Sequence, residues 1–220
     1  MKFLGFVLIF LLSTSFFSCQ SSINKVVKET KYSAYEFFGI EKRDLFKKKI
    51  KNTKEDQQQA GESFKNALEK LKAIYAFDGG NLEKQYRNLD SSYQNSEAKV
   101  TAVHASVIQL ETVAHDLFAE WTKELQQIKT DDLRSRSRTS LTETQKKYSV
   151  FHASLKRSES KLNPVLEKLK DHVLFLKHNL NAQAIEGLKA ESGKIQNDIE
   201  ELIKEMNSSI TQSDAFIQTL

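Results

Sequence analysis

LEKQYRNLDSSYQNSEAKVTAVHASVIQLETVAHDLFAEWTKELQQI, residues 82–128, decides the fold. Positions taken alternately four and three apart are Leu82, Tyr86, Leu89, Tyr93, Ser96, Val100, Val103, Val107, Leu110, Ala114, Leu117, Trp121, Glu124 and Ile128, and twelve of these fourteen are apolar. A chain that is 39% hydrophobic would place five or six there by chance. A strand alternates with period two, whereas a spacing near 3.5 residues is the a/d stripe of a helix that winds left-handedly around partners. At about 1.5 Å per residue this helix is roughly 70 Å long.

Before it stands FDGGN (77–81), whose paired glycines suit the left-handed backbone that ends a helix. Residues 23–76 carry a looser stripe through Phe38, Phe46, Ile50, Gln57, Ala60, Phe64, Ala67, Leu71 and Ile74, with Gly39 and Gly61 as weak points. Residues 129–139 lose the apolar positions. SLTE (140–143) reads as a capping box, although a start at Thr130 with Asp131 and Asp132 in the first turn also suits a helix N-terminus. The third stripe is Leu141, Tyr148, Phe151, Leu155, Leu162, Val165, Leu169, Val173, Leu176 and Leu180, with Pro164 inside it as an expected kink. The fourth is Leu188, Ile195, Ile199, Leu202, Met206, Ile210, Ile217 and Leu220. KHNLN (177–181) separates the two as a reversal, with Asn181 as N-cap. A continuous helix through it, giving a three-helix rod, also fits the spacing.

The expected architecture is therefore all-α, an elongated antiparallel coiled-coil-like bundle of four long helices at about 23–76, 82–129, 140–178 and 182–219. Composition agrees. Seven Gly and one Pro in 220 residues exclude a loop-rich β sandwich, and 28% charged residues suit solvated helices with one apolar face. A net charge of +4 is too small to imply nucleic acid.

MKFLGFVLIFLLSTSFFSC (1–19) joins one cation at Lys2 to an apolar run and then small residues, the form of a secretory leader. The run is about 15 residues, short of the roughly 20 that span a bilayer. Ser18-Cys19 resembles the end of a bacterial lipoprotein signal, with one departure: Phe16 stands three places before the Cys where the pattern has Leu. On that resemblance residues 1–18 are removed, 19–220 form a single helical domain, and the lipidated Cys19 becomes the N-terminus. Two or more acyl chains hold a protein stably at a membrane. Gln20 in place of Asp points to the outer membrane, facing the periplasm.

YSAYEFFGIEKRD (32–44), FDGG (77–80), LFAEW (117–121) and above all VLFLKHNLNAQAI (173–185) resemble DUF2959, a bacterial family of unknown function. The resemblance implies a Gram-negative envelope protein and brings no reaction, cofactor or catalytic residue with it.

No nucleophile elbow, phosphate-binding loop or zinc-hydrolase motif occurs. His104 and His115 lie on one face but three turns apart, and His172 and His178 diverge, so no metal site is expected. Neither catalytic residues nor a cofactor are assigned, and a non-enzymatic structural or adaptor protein is expected. Its candidate site residues are Cys19 for the lipid and Asp78, Lys177, His178, Asn179 and Asn181 at the distal turns, which either form a contact where a protein partner would dock or merely cap helices, Lys177 and His178 at a C-terminus and Asn181 at an N-terminus. An alternative is an envelope-lipid or cell-wall polymer binder, whose basic face near the membrane contains Lys47, Lys48, Lys51, Arg134, Arg136 and Arg138. The stripes also leave a homo-oligomer open.

Overall fold

Thr53, Gln57, Ala60, Phe64, Ala67, Leu71 and Ile74 repeat every three or four residues along one face, and all are buried. That repeat sets the first helix of a computed structural model that describes residues 42–220. The leader, Cys19, Phe38 and the expected helical stretch 23–41 lie outside the described residues. Within them run α1 (Lys42–Tyr75), α2 (Leu82–Leu125), α3 (Asp131–His178), α4 (Ala182–Lys189) and α5 (Ser192–Ile217). The short α4 packs on α1 and α5, and the four long helices close a ring in which α2 and α5 each contact both α1 and α3.

Neighbours run antiparallel, as cross-helix pairs show. Lys49 reaches Gln109 (2.6 Å) while Lys99 reaches Gln59 (2.7 Å), so α1 and α2 oppose each other. His104 with Glu159 (2.9 Å) and His152 with Glu111 (2.7 Å) give the same sense for α2 and α3. Lys161–Glu201 (2.6 Å) and Lys168–Asp198 (2.5 Å) do so for α3 and α5. The fold is thus an up-down-up-down bundle, the arrangement that short connections impose.

The core is built where the stripes placed it, with informative slips. Leu89 through Ala114 follow the seven-residue rhythm into the interior, yet Glu124 is exposed and Leu125 is buried in its place. A helix of 3.6 residues per turn drifts about 20° per heptad against a 3.5 repeat, so over six heptads the facing position moves by one residue. The end of α5 differs in the opposite sense: Ser209, Ser213 and Phe216, which continue the four-three spacing of Ile195, Ile199, Leu202 and Met206, are buried instead of the expected Ile210, Ile217 and Leu220. Phe216 stacks on Phe151 (5.7 Å) and meets Phe46 (5.8 Å), and Tyr148 joins this aromatic layer against Phe46 (5.6 Å) and Phe118 (5.5 Å). Leu180, placed in the third stripe by its spacing, lies past the helix end and is 37% exposed.

Two boundaries differ from expectation. α3 begins at Asp131 and not at residue 140, so SLTE caps nothing. Asp131 and Asp132 favour the positive N-terminal end, and Arg134 pairs back to Asp131 and Arg136 to Asp132 (2.9 Å). Trp121 Nε1 donates to Ser137 Oγ (2.9 Å) and ties this turn to α2. α3 then passes Pro164, which is exposed, without a break. The expected fourth helix is divided at residues 190–191, between Gly187 and Gly193, each about 1 kcal/mol poorer than Ala in a helix. α3 and α4 are separate elements, so the continuous-helix alternative is not what forms.

Leu125→Ala is expected to lower the unfolding free energy by about 2–5 kcal/mol and Glu124→Ala by less than about 0.5 kcal/mol, measured by urea titration. Equal effects would contradict the slip in register.

Candidate functional site

Three polar features interrupt the apolar bundle: its distal end, its middle and its proximal end. The distal end is where α1 and α3 finish. Gly79 (φ 151°) and Gly80 (φ 104°) take the left-handed backbone that a side chain would strain, and Asn81 Oδ1 accepts from Lys84 N (2.9 Å) to cap α2. At the end of α3, Asn179 N–H donates to Leu176 O and its side-chain amide donates to Phe175 O (2.9 Å). Asn181 N–H donates to Asn179 O (2.9 Å). Asp78, Lys177, His178 and Asn181 are exposed and Asn179 is half-buried. The structure brings both expected turns to one end of the bundle and gives Asn179 a capping task.

Sequence reasoning missed the pair just inside this end. Tyr75 and His172 meet edge to face at 6.4 Å. The Tyr75 hydroxyl is buried without a partner, and burial drives its pKa far above the ordinary phenol range. Burial also lowers His172, against the opposing pull of Asp171 and Glu191. Beside His172 lies a recess of about 220 Å³ lined by Lys168, Asp171, Glu191, Lys194, Ile195 and Asp198. The only sequence signal was that Tyr75 and His172 flank the stripe residues Ile74 and Val173.

At mid-height, Gln57 of α1 is buried and spans two other helices: its Nε2 donates to Ser158 Oγ (2.6 Å) and its Oε1 accepts from Ser209 Oγ (3.0 Å). Above it on the α1–α5 seam opens a groove of about 590 Å³, lined in part by Gln58, Glu62, Met206 and Ile210. On the α2–α3 seam Glu159, nearly buried, accepts from Lys156 (2.5 Å) and pairs with His104 (2.9 Å). Burial alone would raise the Glu159 pKa; Lys156 and His104 outweigh it and hold the carboxyl below its ordinary value. Glu111 continues the chain to His152 (2.7 Å) and Lys156 (3.6 Å). These pairs lock helices together, and among the described residues no cluster of three or more His, Cys, Asp or Glu could hold a metal ion.

The proximal basic residues do not form one face at one height. The Phe46–Tyr148 contact sets the register, so Arg134 to Arg138 lie about 15–20 Å beyond Lys47 toward the α2–α3 turn. Arg134 and Arg136 are paired to Asp131 and Asp132, whereas Lys48, Lys51 and Arg138 are exposed. Among the described residues no helix is long and apolar enough to cross a membrane.

The lowered His172 pKa carries a pH dependence. The unfolded chain takes up a proton near pH 6.5 that the folded state resists, so this contribution to stability is complete above that pH and is lost as the pH falls below it. The melting temperature is expected to drop between about pH 7 and pH 5, less so in His172→Gln. Identical slopes in the two proteins would refute the assignment.

No curated protein matches the chain closely enough to lend it a role. A family described as "Protein of unknown function (DUF2959)" matches residues 31–220, which includes every element described above. The chain belongs to the DUF2959 family.

Proposed function

We propose that this protein is a non-enzymatic lipoprotein of the outer membrane, facing the periplasm, that serves as a structural or adaptor rod. The observation that carries this reading is the leader ending at Ser18-Cys19, followed by a chain whose described part is an antiparallel bundle. A lipid on Cys19 would tether the chain through its N-terminal segment. Helices of 34 to 48 residues, about 50–70 Å long, then hold the turns at residues 77–81 and 179–181 far from the Lys42 end of α1. The interior is filled by side chains such as Phe46, Phe64, Leu110, Phe151 and Leu169, an arrangement suited to holding a surface at a height.

Labelling cells with radioactive palmitate tests the anchor. The wild-type chain is expected to take up label and to sediment with outer membrane; Cys19→Ser should lose the label and appear in the soluble periplasmic fraction. A Cys19→Ser chain that stays membrane-bound through washing would remove the lipid from the account.

A second reading adds contact between anionic headgroups and the proximal basic residues, because Lys48 and Lys51 are exposed and no ion pair engages them among the described residues. Each cation near such a surface adds about 1 kcal/mol. Arg134 and Arg136, already paired, contribute less. Lys48→Glu with Lys51→Glu is expected to weaken flotation of the lipid-free chain on anionic vesicles at low salt, and an unchanged floating fraction would exclude this face.

A further inference from the structure

Asp78-Gly79 is the one place in the chain where an Asp or Asn precedes Gly. An Asp in such a pair can close a ring on its own backbone, because the next amide nitrogen and the side-chain carboxyl carbon stand one five-membered ring apart. A following residue without a side chain hinders that approach least. The fold decides whether the approach occurs, since a helix fixes the backbone dihedrals and engages the amide in its i to i−4 ladder.

The structure singles this pair out. Every other Asp among the described residues lies inside a helix. Of the Asn residues outside helices, Asn81 and Asn179 use their side chains to cap (2.9 Å each), and Asn181 is followed by Ala182, whose Cβ crowds the amide. Asp78 is exposed, past the last bond of the α1 end, Phe77 N–H to Ile74 O (3.1 Å), and before the Asn81 cap of α2. Among the described residues no hydrogen bond or ion pair engages its carboxylate, and none engages the Gly79 N–H. No heavy atom lies within 4 Å of where a Cβ of Gly79 would stand, so the approach is open.

We infer that Asp78 is a site of spontaneous covalent modification, at which its link to Gly79 isomerises to an isoaspartyl bond. The Gly79 nitrogen bonds to Asp78 Cγ, and one carboxylate oxygen leaves as water, carrying the amide proton and a proton from solvent. A five-membered cyclic imide remains. Water then adds to one of its two carbonyls. Opening at Cγ restores aspartate. Opening at the main-chain carbonyl carbon breaks the original peptide bond and leaves the nitrogen on Cγ, so the backbone runs through Cβ and is one methylene longer. Either opening returns the solvent proton, so mass and charge are unchanged and no oxidant or reductant takes part. The added methylene falls within residues 75–81, a stretch in which no residue is fully buried, so the core between α1 and α2 does not oppose it.

The test holds purified protein in water enriched in oxygen-18, at neutral pH and well below its melting temperature, and then digests it with trypsin in ordinary water. Asp78 lies in the peptide 73–84, bounded by cleavage after Lys72 and Lys84. Each passage through the imide replaces one oxygen, so this peptide is expected to gain heavy oxygen at residue 78 and to divide into aspartyl and isoaspartyl forms, which electron-transfer fragmentation distinguishes. Asp78→Glu, whose ring would have six members, should lose both signals, and sites inside helices, such as Asn95-Ser96, should stay at background. Overturning results are a peptide 73–84 that stays light and wholly aspartyl in the folded protein, a heavy-oxygen signal in that peptide that survives Asp78→Glu, or isoaspartate formed to the same extent within the helices.

Discussion

Everything in this bundle depends on burying four apolar stripes at once. Each stripe is one side-chain row wide on a helix whose other faces are charged, so no helix here can hide its stripe alone. Residues 82–125 make the demand most strictly, with Val100, Val103, Val107, Leu110 and Ala114 in unbroken rhythm. Closing the ring of α1, α2, α3 and α5 meets it, and the short turns at 77–81 and 126–130 leave antiparallel neighbours as the outcome.

Apolar stripes alone tolerate sliding by a turn, and the buried polar groups do not. Gln57 satisfies Ser158 and Ser209 only when α1, α3 and α5 are in one register; a slip would bury its amide unbonded, at about 1–3 kcal/mol. One turn lower, the shorter Thr53 bonds Lys49 O and Ser106 O, while Ser154 and Ser213 remain buried without partners. The contrast shows what Gln57 contributes: side-chain length enough to reach two helices at once. Glu159, held as a carboxylate by Lys156 and His104, does the corresponding work between α2 and α3.

Much of the fold was legible because its signal is periodic and long. Phe46 to Ile74, Leu89 to Ala114 and Phe151 to Leu176 could be placed inside from spacing, and the Gly79-Gly80 turn from backbone chemistry. Most of what was not legible came from effects that spacing does not carry. The one-residue slip at Leu125 arises from accumulated phase drift, whereas Ser209, Ser213 and Phe216 keep the strict four-three spacing from Ile195 that the expected Ile210 and Ile217 leave. The early start of α3 rests on local charge pairs at Asp131, Arg134, Asp132 and Arg136, and the division of α4 from α5 falls where weak helix formers cluster. For the candidate sites, the sequence placed Asp78 and Asn179 at one end correctly. It could not show that Asn179 is occupied in capping, that Tyr75 and His172 lie together, or that Arg134 to Arg138 sit below the Lys47 level.

Residues 77–81 and 174–181 share one end of the described bundle, and that depends on α1 and α3 rising together. Spin labels on cysteines placed at Asp78 and Lys177, both exposed, measure that directly by pulsed electron resonance in the chain carrying Cys19→Ser. The account predicts a distance of about 15–30 Å, set by the interhelical spacing of a four-helix bundle. A distance beyond about 50 Å, the length of a long helix, would mean that the two turns lie at opposite ends and that the architecture is wrong.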